Sequence, residues 1–505
     1  MFGLYRRSIL EITVFVCGAL VMIFEIIGSR ILSPFIGTST YVWTSLIGVI
    51  LASLSLGYWF GGKFADKRPD IKILAAVIFS AGALVSVTVL IKEVLLSMIA
   101  GAAVGLEIKA LIAAILLFAP ASVCMGFVTP FAVRLKLTSI ESTGQTVGRL
   151  YALSTVGSIV GTFAAGFYLI PFVGSVRTLY IIAGSLLMLS VAIAPFAISK
   201  TNIAGILLFI LGVGGTETNI WLLHDRAGVL DLDTEYSRVQ VFSTSDPATG
   251  KEIKAIATDP YFVQSAAFLE SDDLVFDYAR YYHLIRYFNP GFSNTLIIGG
   301  AGYSFPKEYL RVYPDARIDV VEIDPQMTKI ARDHFRLIDD PRMNIIHEDG
   351  RMYVNRAAGG QYDAVLMDAF GSLFSVPYHL TTHEAVVNLH RTLNGNGVVV
   401  FNLGASITGP GNLFLNAELA TYRDVFPSVY LFKVNGEYAD DRLQNLIIVA
   451  SKKTNLTNYP DPEIARLFNH LSPASSQPVG LILTDDLAPV EYYNSVAQNL
   501  FIMNR

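Results

Sequence analysis

Seven apolar stretches crowd the first 223 residues, and each has the length a bilayer demands of a helix. Crossing the hydrocarbon takes about 20 mostly apolar residues, because every backbone N–H and C=O must be satisfied within the segment. The runs fall near Ile9–Ser29, Tyr41–Phe60, Ile71–Ile91, Ala110–Phe131, Val147–Ile170, Val176–Ile198 and Ile203–Leu223. The last is interrupted by Gly214, Gly215 and Glu217. Val94–Leu106 is apolar but short, and reads as a re-entrant, interfacial or broken segment. Residues 1–223 are therefore expected to form a multi-span α-helical membrane domain of about seven spans, with six or eight open. Its partner is the lipid bilayer, and its place the cell (inner) membrane. The run that follows Arg6 and Arg7 continues past Ala19 without a convincing cleavage site, so it reads as a retained helix rather than a signal peptide.

Charge divides the chain at the same point. Residues 1–222 hold 14 Lys/Arg against 8 Asp/Glu, and the rest hold 23 against 34. An acidic second half is a poor match for nucleic acid, whose phosphates call for a basic face. Cys17 and Cys124 lie in apolar runs, which excludes a disulfide framework or a cysteine metal site. Arg6 and Arg7, then Lys63, Lys67, Arg68 and Lys72, then Arg134, Lys136 and Arg149 fall on alternate loops, which read as cytoplasmic. Gly57–Arg68, GYWFGGKFADKR, is similar to the loop between helices two and three of major facilitator transporters, and reads equally as a plain tight basic turn. Glu25, Arg30 and Glu217 lie in or beside spans, where charges either serve a function or snorkel to the interface. Gly157, Gly161 and Gly166 are expected to admit a close neighbouring helix.

Beyond Leu223 the periodicity changes. Val229–Thr244 alternates apolar and polar residues, and Lys251–Asp259 follows after the turn residues Asp246, Pro247 and Gly250. This reads as a small β-hairpin domain over residues 224–270. Residues 271–505 read as an α/β Rossmann-like domain. Asn294–Leu310 is an apolar strand, a glycine-rich turn with Gly299 and Gly300, and a helix start. Arg317–Pro325 is a second buried strand, ending in Glu322 about 20 residues after the glycines, the separation at which an acid grips a ribose. Further strands end at Asp349-Gly350 and at Asp368. Strand carboxyl ends converge on one crevice in such folds, so Glu322, Asp349 and Asp368 are expected around a common pocket.

This series, with VVEIDP, DGR and YDAVLMDAF in order, resembles the spermidine synthase (polyamine aminopropyltransferase) family in its membrane-fused branch, over roughly Leu230–Ser451. The resemblance implies a methyltransferase-type fold that binds decarboxylated S-adenosylmethionine as co-substrate and a small amine as acceptor. It implies nucleoside contacts from Gln264, Gly299, Gly300, Glu322, Asp349 and Gly350. Asp368 would be the catalytic acid, with Tyr278 and Tyr438 beside the amine. Two departures stand out: Gly302 and Gly371 occupy positions where that family carries aspartates. Asp485 and Asp486 in the tail are candidate replacements, or else belong to a solvated loop.

Tyr281, Tyr282 and His283 are adjacent, so at most two can face one pocket. His283, His379 and His383 show no ligand spacing with a carboxylate, and no metal is expected. Three functions remain open: an aminopropyltransferase, a methyltransferase using S-adenosylmethionine on the same fold, and a non-catalytic polyamine or nucleoside sensor or transporter. A homodimer is left open. Seven spans from a cytoplasmic N-terminus would carry the second half outside; the nucleotide donor, made in the cytoplasm, argues for placing it inside.

Overall fold

The computed structural model describes residues 2–137, 143–194, 200–258, 262–369, 376–454, 461–473 and 480–503. The chain divides into two compact units, Met1–Val239 and Gln240–Arg505. That boundary does not coincide with the expected ones at 223 and 270.

Among the described residues of the first unit, seven helices are long and apolar enough to cross a membrane: Ser8–Ile36, Thr40–Lys67, Ile71–Ala100, Leu106–Lys136, Thr143–Val173, Ser175–Ile193 and Ile203–Arg226. They belong to α1 (Phe2–Ile36), α2 (Thr40–Lys67), α3 (Ile71–Ala100), α4 (Leu106–Gly126) continued by α5 (Val128–Lys136), α6 (Thr143–Ala164), α7 (Ser175–Ile193) and α8 (Lys200–Ala227). Val94–Leu106 is not a segment of its own. Val94–Ala100 completes α3, a short turn follows, and Leu106 opens α4. Most of Gly57–Arg68 is likewise helix rather than turn. Gly57 and Gly61 sit in α2 where a Cβ would strike the backbone of Val123 and Phe127, so their smallness brings α2 against α4 and α5.

Gly157 and Gly161 do the same for α6 against Phe15 and Ala19 of α1, whereas Gly166 faces open space. Two of the charges expected in or beside spans find partners. Glu217 approaches Arg177 at 3.6 Å, and Arg30 donates to the carbonyls of Thr234 and Tyr236. Arg238 forms a two-pronged pair with Asp231 of strand β1 (Leu230–Asp233) and also reaches Glu93 at 3.2 Å. Residues 230–238 are thereby fastened to the end of the bundle where α1 and α3 finish.

The second unit begins within strand β2 (Arg238–Ser245), which runs antiparallel to β3 (Glu252–Ala257), itself antiparallel to β4 (Val263–Phe268). Val239 and Val241 are buried at alternate positions, as the period-2 pattern required. Next come the short helices α9 (Asp277–Arg280) and α10 (Ile285–Phe288), joined by a tight 3-10 turn at Tyr281–Leu284.

The main sheet has seven strands. β5 (Asn294–Ile298), β6 (Arg317–Val321), β7 (Met343–Ile346), β8 (Tyr362–Met367) and β9 (Leu393–Ala405) are parallel. β11 (Gln444–Ser451) runs antiparallel to β9, and the edge strand β10 (Ser428–Lys433) runs antiparallel to β11 and so in the direction of the parallel set, giving the spatial order β10-β11-β9-β8-β5-β6-β7. This is a Rossmann-like, methyltransferase-type sheet. The central stretches of β5, β8 and β9 are buried on both faces, and for that reason they read in the sequence as apolar runs, whereas the edge strand β7 is only partly buried. Helices α11 (Ser304–Val312), α12 (Pro325–His334), α13 (Gly350–Arg356), α14 (His383–Thr392), α15 (Leu413–Val425), α16 (Pro462–Phe468) and α17 (Val490–Met503) complete the unit. The order reverses between β5 and β8, and ligands bind such folds at that switch point. Gly299 and Asp368 follow those two strands directly.

Candidate active site

The turn after β5 is built around a close approach. Gly299 has φ +104°, and a Cβ there would overlap the carbonyl of Asp368, so only glycine fits both the dihedral and the space. Ala301 (φ 42°) and Tyr303 (φ 55°) also hold left-handed conformations, unusual for residues with a side chain. A carboxylate steadies this loop. Glu322 Oε2 accepts from the N–H groups of Gly300 and Ala301 at 2.8 and 3.0 Å, and its Oε1 accepts from Asp324 N at 2.9 Å. Buried Glu322 thus holds the loop through Oε2 and its own turn through Oε1, and only Oε1 keeps a second lone pair.

Beside the loop lies a cavity of about 390 Å³. Asp368, Tyr278, Gln264, Asn402 and Gln444 supply its polar wall, while residues such as Phe276 and Phe305 supply the apolar one. Asp368 keeps partial access through the cavity, yet protein surrounds it closely enough that desolvation lifts its pKa to about 6. Hydrogen bonding to the carboxylate works against that rise. Asn402 Nδ2 donates to Asp368 Oδ1 at 3.3 Å, and the hydroxyls of Tyr278 and Tyr282 face the same group. The Tyr282 hydroxyl is buried and completes no bond of normal geometry. Burial first, then the Asp368 charge, pushes both phenols well above their ordinary range, so they act as donors. Gln264 Oε1 and Gln444 Oε1 are buried acceptors with no hydrogen-bond partner among the described residues. Such atoms are rare in native structures, and on a cavity wall they suit a ligand donor.

Residues 278–458 match the family model described as the spermine/spermidine synthase domain. The chain carries a spermine/spermidine synthase domain. The chain is 32% identical over 200 residues to the polyamine aminopropyltransferase of Vibrio vulnificus, covering 39% of this chain and 63% of that protein. Against polyamine aminopropyltransferase 1 of Streptomyces coelicolor it is 24% identical over 448 residues, covering 80% of this chain and 77% of that protein. That stretch exceeds what Gln240–Arg505 can supply, so the likeness extends into the helical half. The eEF1A lysine and N-terminal methyltransferase of Xenopus laevis is 31% identical over 162 residues, 30% of this chain and 23% of that protein.

Within and around the synthase domain, the structure separates the expected site residues. Asp368, Tyr278, Gln264, Gly299 and Gly300 line the cavity; Glu322, Asp349, Gly350, Tyr438, Asp485 and Asp486 do not. Asp349 caps α13, accepting from Met352 N at 2.9 Å, and its other oxygen meets His379 Nε2 at 3.2 Å. Gly350 packs against Ile298. The Tyr438 ring is covered by the Arg442 guanidinium, 3.9 Å from its centroid. Asp485 pairs with Arg351 at 2.8 Å and with Thr382 at 2.6 Å, while Asp486 is exposed. The tail therefore brings no carboxylate to the cavity wall, which corrects the reading of Asp485 and Asp486 as replacements. At Gly302 a Cβ would lie 2.5 Å from Ser265 Oγ, and Gly371 lies outside the described residues.

Carboxylates distant in sequence come within reach of all three histidines, one to each. Besides His379 and Asp349, His383 pairs with Asp424 at 2.9 Å, and His283 lies 4.0 Å from Glu308. Burial lowers the His283 pKa to about 4, and its Nδ1 is 2.6 Å from the Tyr313 hydroxyl, a structural role away from the cavity. Asn402 escaped the sequence reading, though it carried a signal: it is the polar residue inside VVVFNLGA, where a doubly buried strand otherwise admits none.

Proposed function

We propose that this protein is a membrane-anchored transferase that moves an aminopropyl group from decarboxylated S-adenosylmethionine to an amine. The observation that carries the reading is Asp368, an acid with a pKa near 6 on the wall of a cavity at the sheet's switch point. An amine arrives as an ammonium, with an ordinary pKa of about 10.4 for a lysine-like group. Asp368 pairs with it and then accepts a proton. The freed nitrogen lone pair attacks the propyl carbon bonded to the sulfonium. A C–N bond forms, the C–S bond breaks, and methylthioadenosine leaves with the electron pair on sulfur. Tyr278, on the cavity wall, faces the carboxylate and offers its aromatic face to the cation, while buried Tyr282 backs Asp368 from behind the wall. Gln264 would orient the nucleoside. Glu322 and Asp349 remain proposed nucleoside contacts, the first also holding the loop against which the nucleoside would rest.

Methyl transfer from S-adenosylmethionine is the rival on this fold. Its donor brings a carboxylate into the site, which favours a cationic partner, and none of the described lining residues is Lys, Arg or His. The decarboxylated donor makes no such demand. Incubating the full chain with each donor and identifying the nucleoside product tests the reading. Methylthioadenosine is expected; S-adenosylhomocysteine alone would establish the rival.

The helices support membrane anchoring by length and composition. The face on which the domain lies is a separate question. Synthesis of the donor inside cells favours the cytoplasm. The charge of this molecule favours the other face. The loops after α2 and α5 and the start of α1 carry most of the bundle's basic residues, and seven alternating helices end opposite them.

A further inference from the structure

We infer that the acceptor carries a single basic amine on an apolar body, rather than two or more amines. This rests on the transferase reading above and narrows its substrate class. Among the described residues lining the cavity, Asp368 is the one that bears a charge at neutral pH. The remaining polar groups are amides and hydroxyls, and Leu274, Val275, Phe276, Phe305, Pro306 and Leu443 make the rest largely apolar.

Counting cations shows what that wall can hold. The donor already brings a sulfonium and the ammonium of its aminopropyl arm. The attacking amine brings another ammonium, which Asp368 must pair with before relieving it of a proton. A second ammonium on the acceptor would sit beside apolar side chains with its charge unpaired, and uncompensated buried charge costs several kcal/mol. Replacing that far ammonium by a methyl group removes the penalty and adds apolar contact, worth about 0.8 kcal/mol per buried methylene-sized group.

No described neighbour supplies the missing charge. Asp485 is committed to Arg351 and Thr382, and Glu322 to the loop amides. A side chain at position 302 would have to displace Ser265. Phe370–Ser375, outside the described residues, contain no acid in their sequence.

The test uses the full chain in detergent with matched acceptors: n-butylamine and n-hexylamine against 1,4-diaminobutane and 1,6-diaminohexane. Amine binding is measured by calorimetry in the presence of methylthioadenosine, and turnover by methylthioadenosine release from the decarboxylated donor. The monoamine should be preferred by at least about tenfold at each length, in binding and in kcat/KM. In Asp368→Asn, monoamine binding should drop by about tenfold or more, which identifies the contacting carboxylate. Diamine binding as tight as, or tighter than, monoamine binding would overturn the inference. A second carboxylate reaching the cavity from elsewhere, Asp259 included, would show itself in that way. Monoamine-selective binding without methylthioadenosine release would leave the inference standing and remove the aminopropyl-transfer reading.

Discussion

Asn402 Nδ2 donates to Asp368 Oδ1 at 3.3 Å across two neighbouring parallel strands. Met367 pairs with Phe401 in the register of β8 and β9, so Asp368, just past the end of β8, meets Asn402 at the carboxyl end of that strand. Asn402 in turn accepts from Asn445 Nδ2 at 3.0 Å, which fixes its amide with the donor toward the acid. The relay holds the carboxylate in its ionised form against the desolvation that surrounds it.

Asn402→Ala should therefore raise the Asp368 pKa above its present value of about 6. The acidic limb of the kcat/KM profile for transfer should move to higher pH, while the plateau above it changes little. A limb that stays in place would mean Asn402 does not tune the acid.

Asp368→Asn should lower turnover by roughly 10²- to 10⁴-fold, the usual contribution of a general base. It should also stabilise the protein at neutral pH. The folded pKa of about 6 lies above the ordinary 3.8, so the carboxyl's contribution to stability is complete below the ordinary value. It is lost as pH rises through 6, and the ionised form then costs about 3 kcal/mol. The melting temperature of Asp368→Asn should exceed that of the parent at pH 7.5 and converge with it near pH 4. A variant that is equally slow but less stable at both pH values would point to misfolding.

Glu322→Gln tests the loop and the nucleoside site together. The isostere keeps one oxygen but must turn its NH₂ toward amide donors, either those of Gly300 and Ala301 or that of Asp324. Hydrogen bonds to a charged acceptor contribute about 1.5–3 kcal/mol each. Methylthioadenosine affinity by calorimetry should fall at least about tenfold, accompanied by a lower melting temperature. Unchanged affinity with a lower melting temperature would leave Glu322 with the loop alone.

A reporter placed after Arg505 should read the face opposite the loops that carry Lys63, Lys67, Arg134 and Lys136. Paired with a tag before Met1, it should give opposite signals for the two ends, the outcome expected of an odd number of crossings by the seven apolar helices among the described residues. By the charge rule the far end is then the non-cytoplasmic one. A cytoplasmic signal after Arg505 would restore the placement argued from the donor and show that the bundle inserts against its charge.

Local chemistry alone made much of this molecule readable. The seven helices came from runs of apolar residues, since a bilayer rewards length and composition irrespective of neighbours. Strands β5, β6 and β8 were equally plain, because a strand buried on both faces must be apolar throughout. Gly299 and Asp368 were placed by their position after such strands, and Gln264 by the family resemblance. The partners of individual side chains were not legible, because they come from residues far away in the chain. Asp485 looked like a spare carboxylate until Arg351, 134 positions earlier, claimed it. His379, in the 3-10 turn Tyr378–Leu380, and Asp349, at the start of α13, were unrelated in the sequence until the fold brought them to 3.2 Å. Glu322 carried the spacing of a ribose ligand, and the fold revealed that its oxygens first hold the loop. A sequence sets the period, polarity and charge of each segment. Packing of distant segments decides which polar groups pair, which are desolvated, and therefore which single acid at the cavity is left to work.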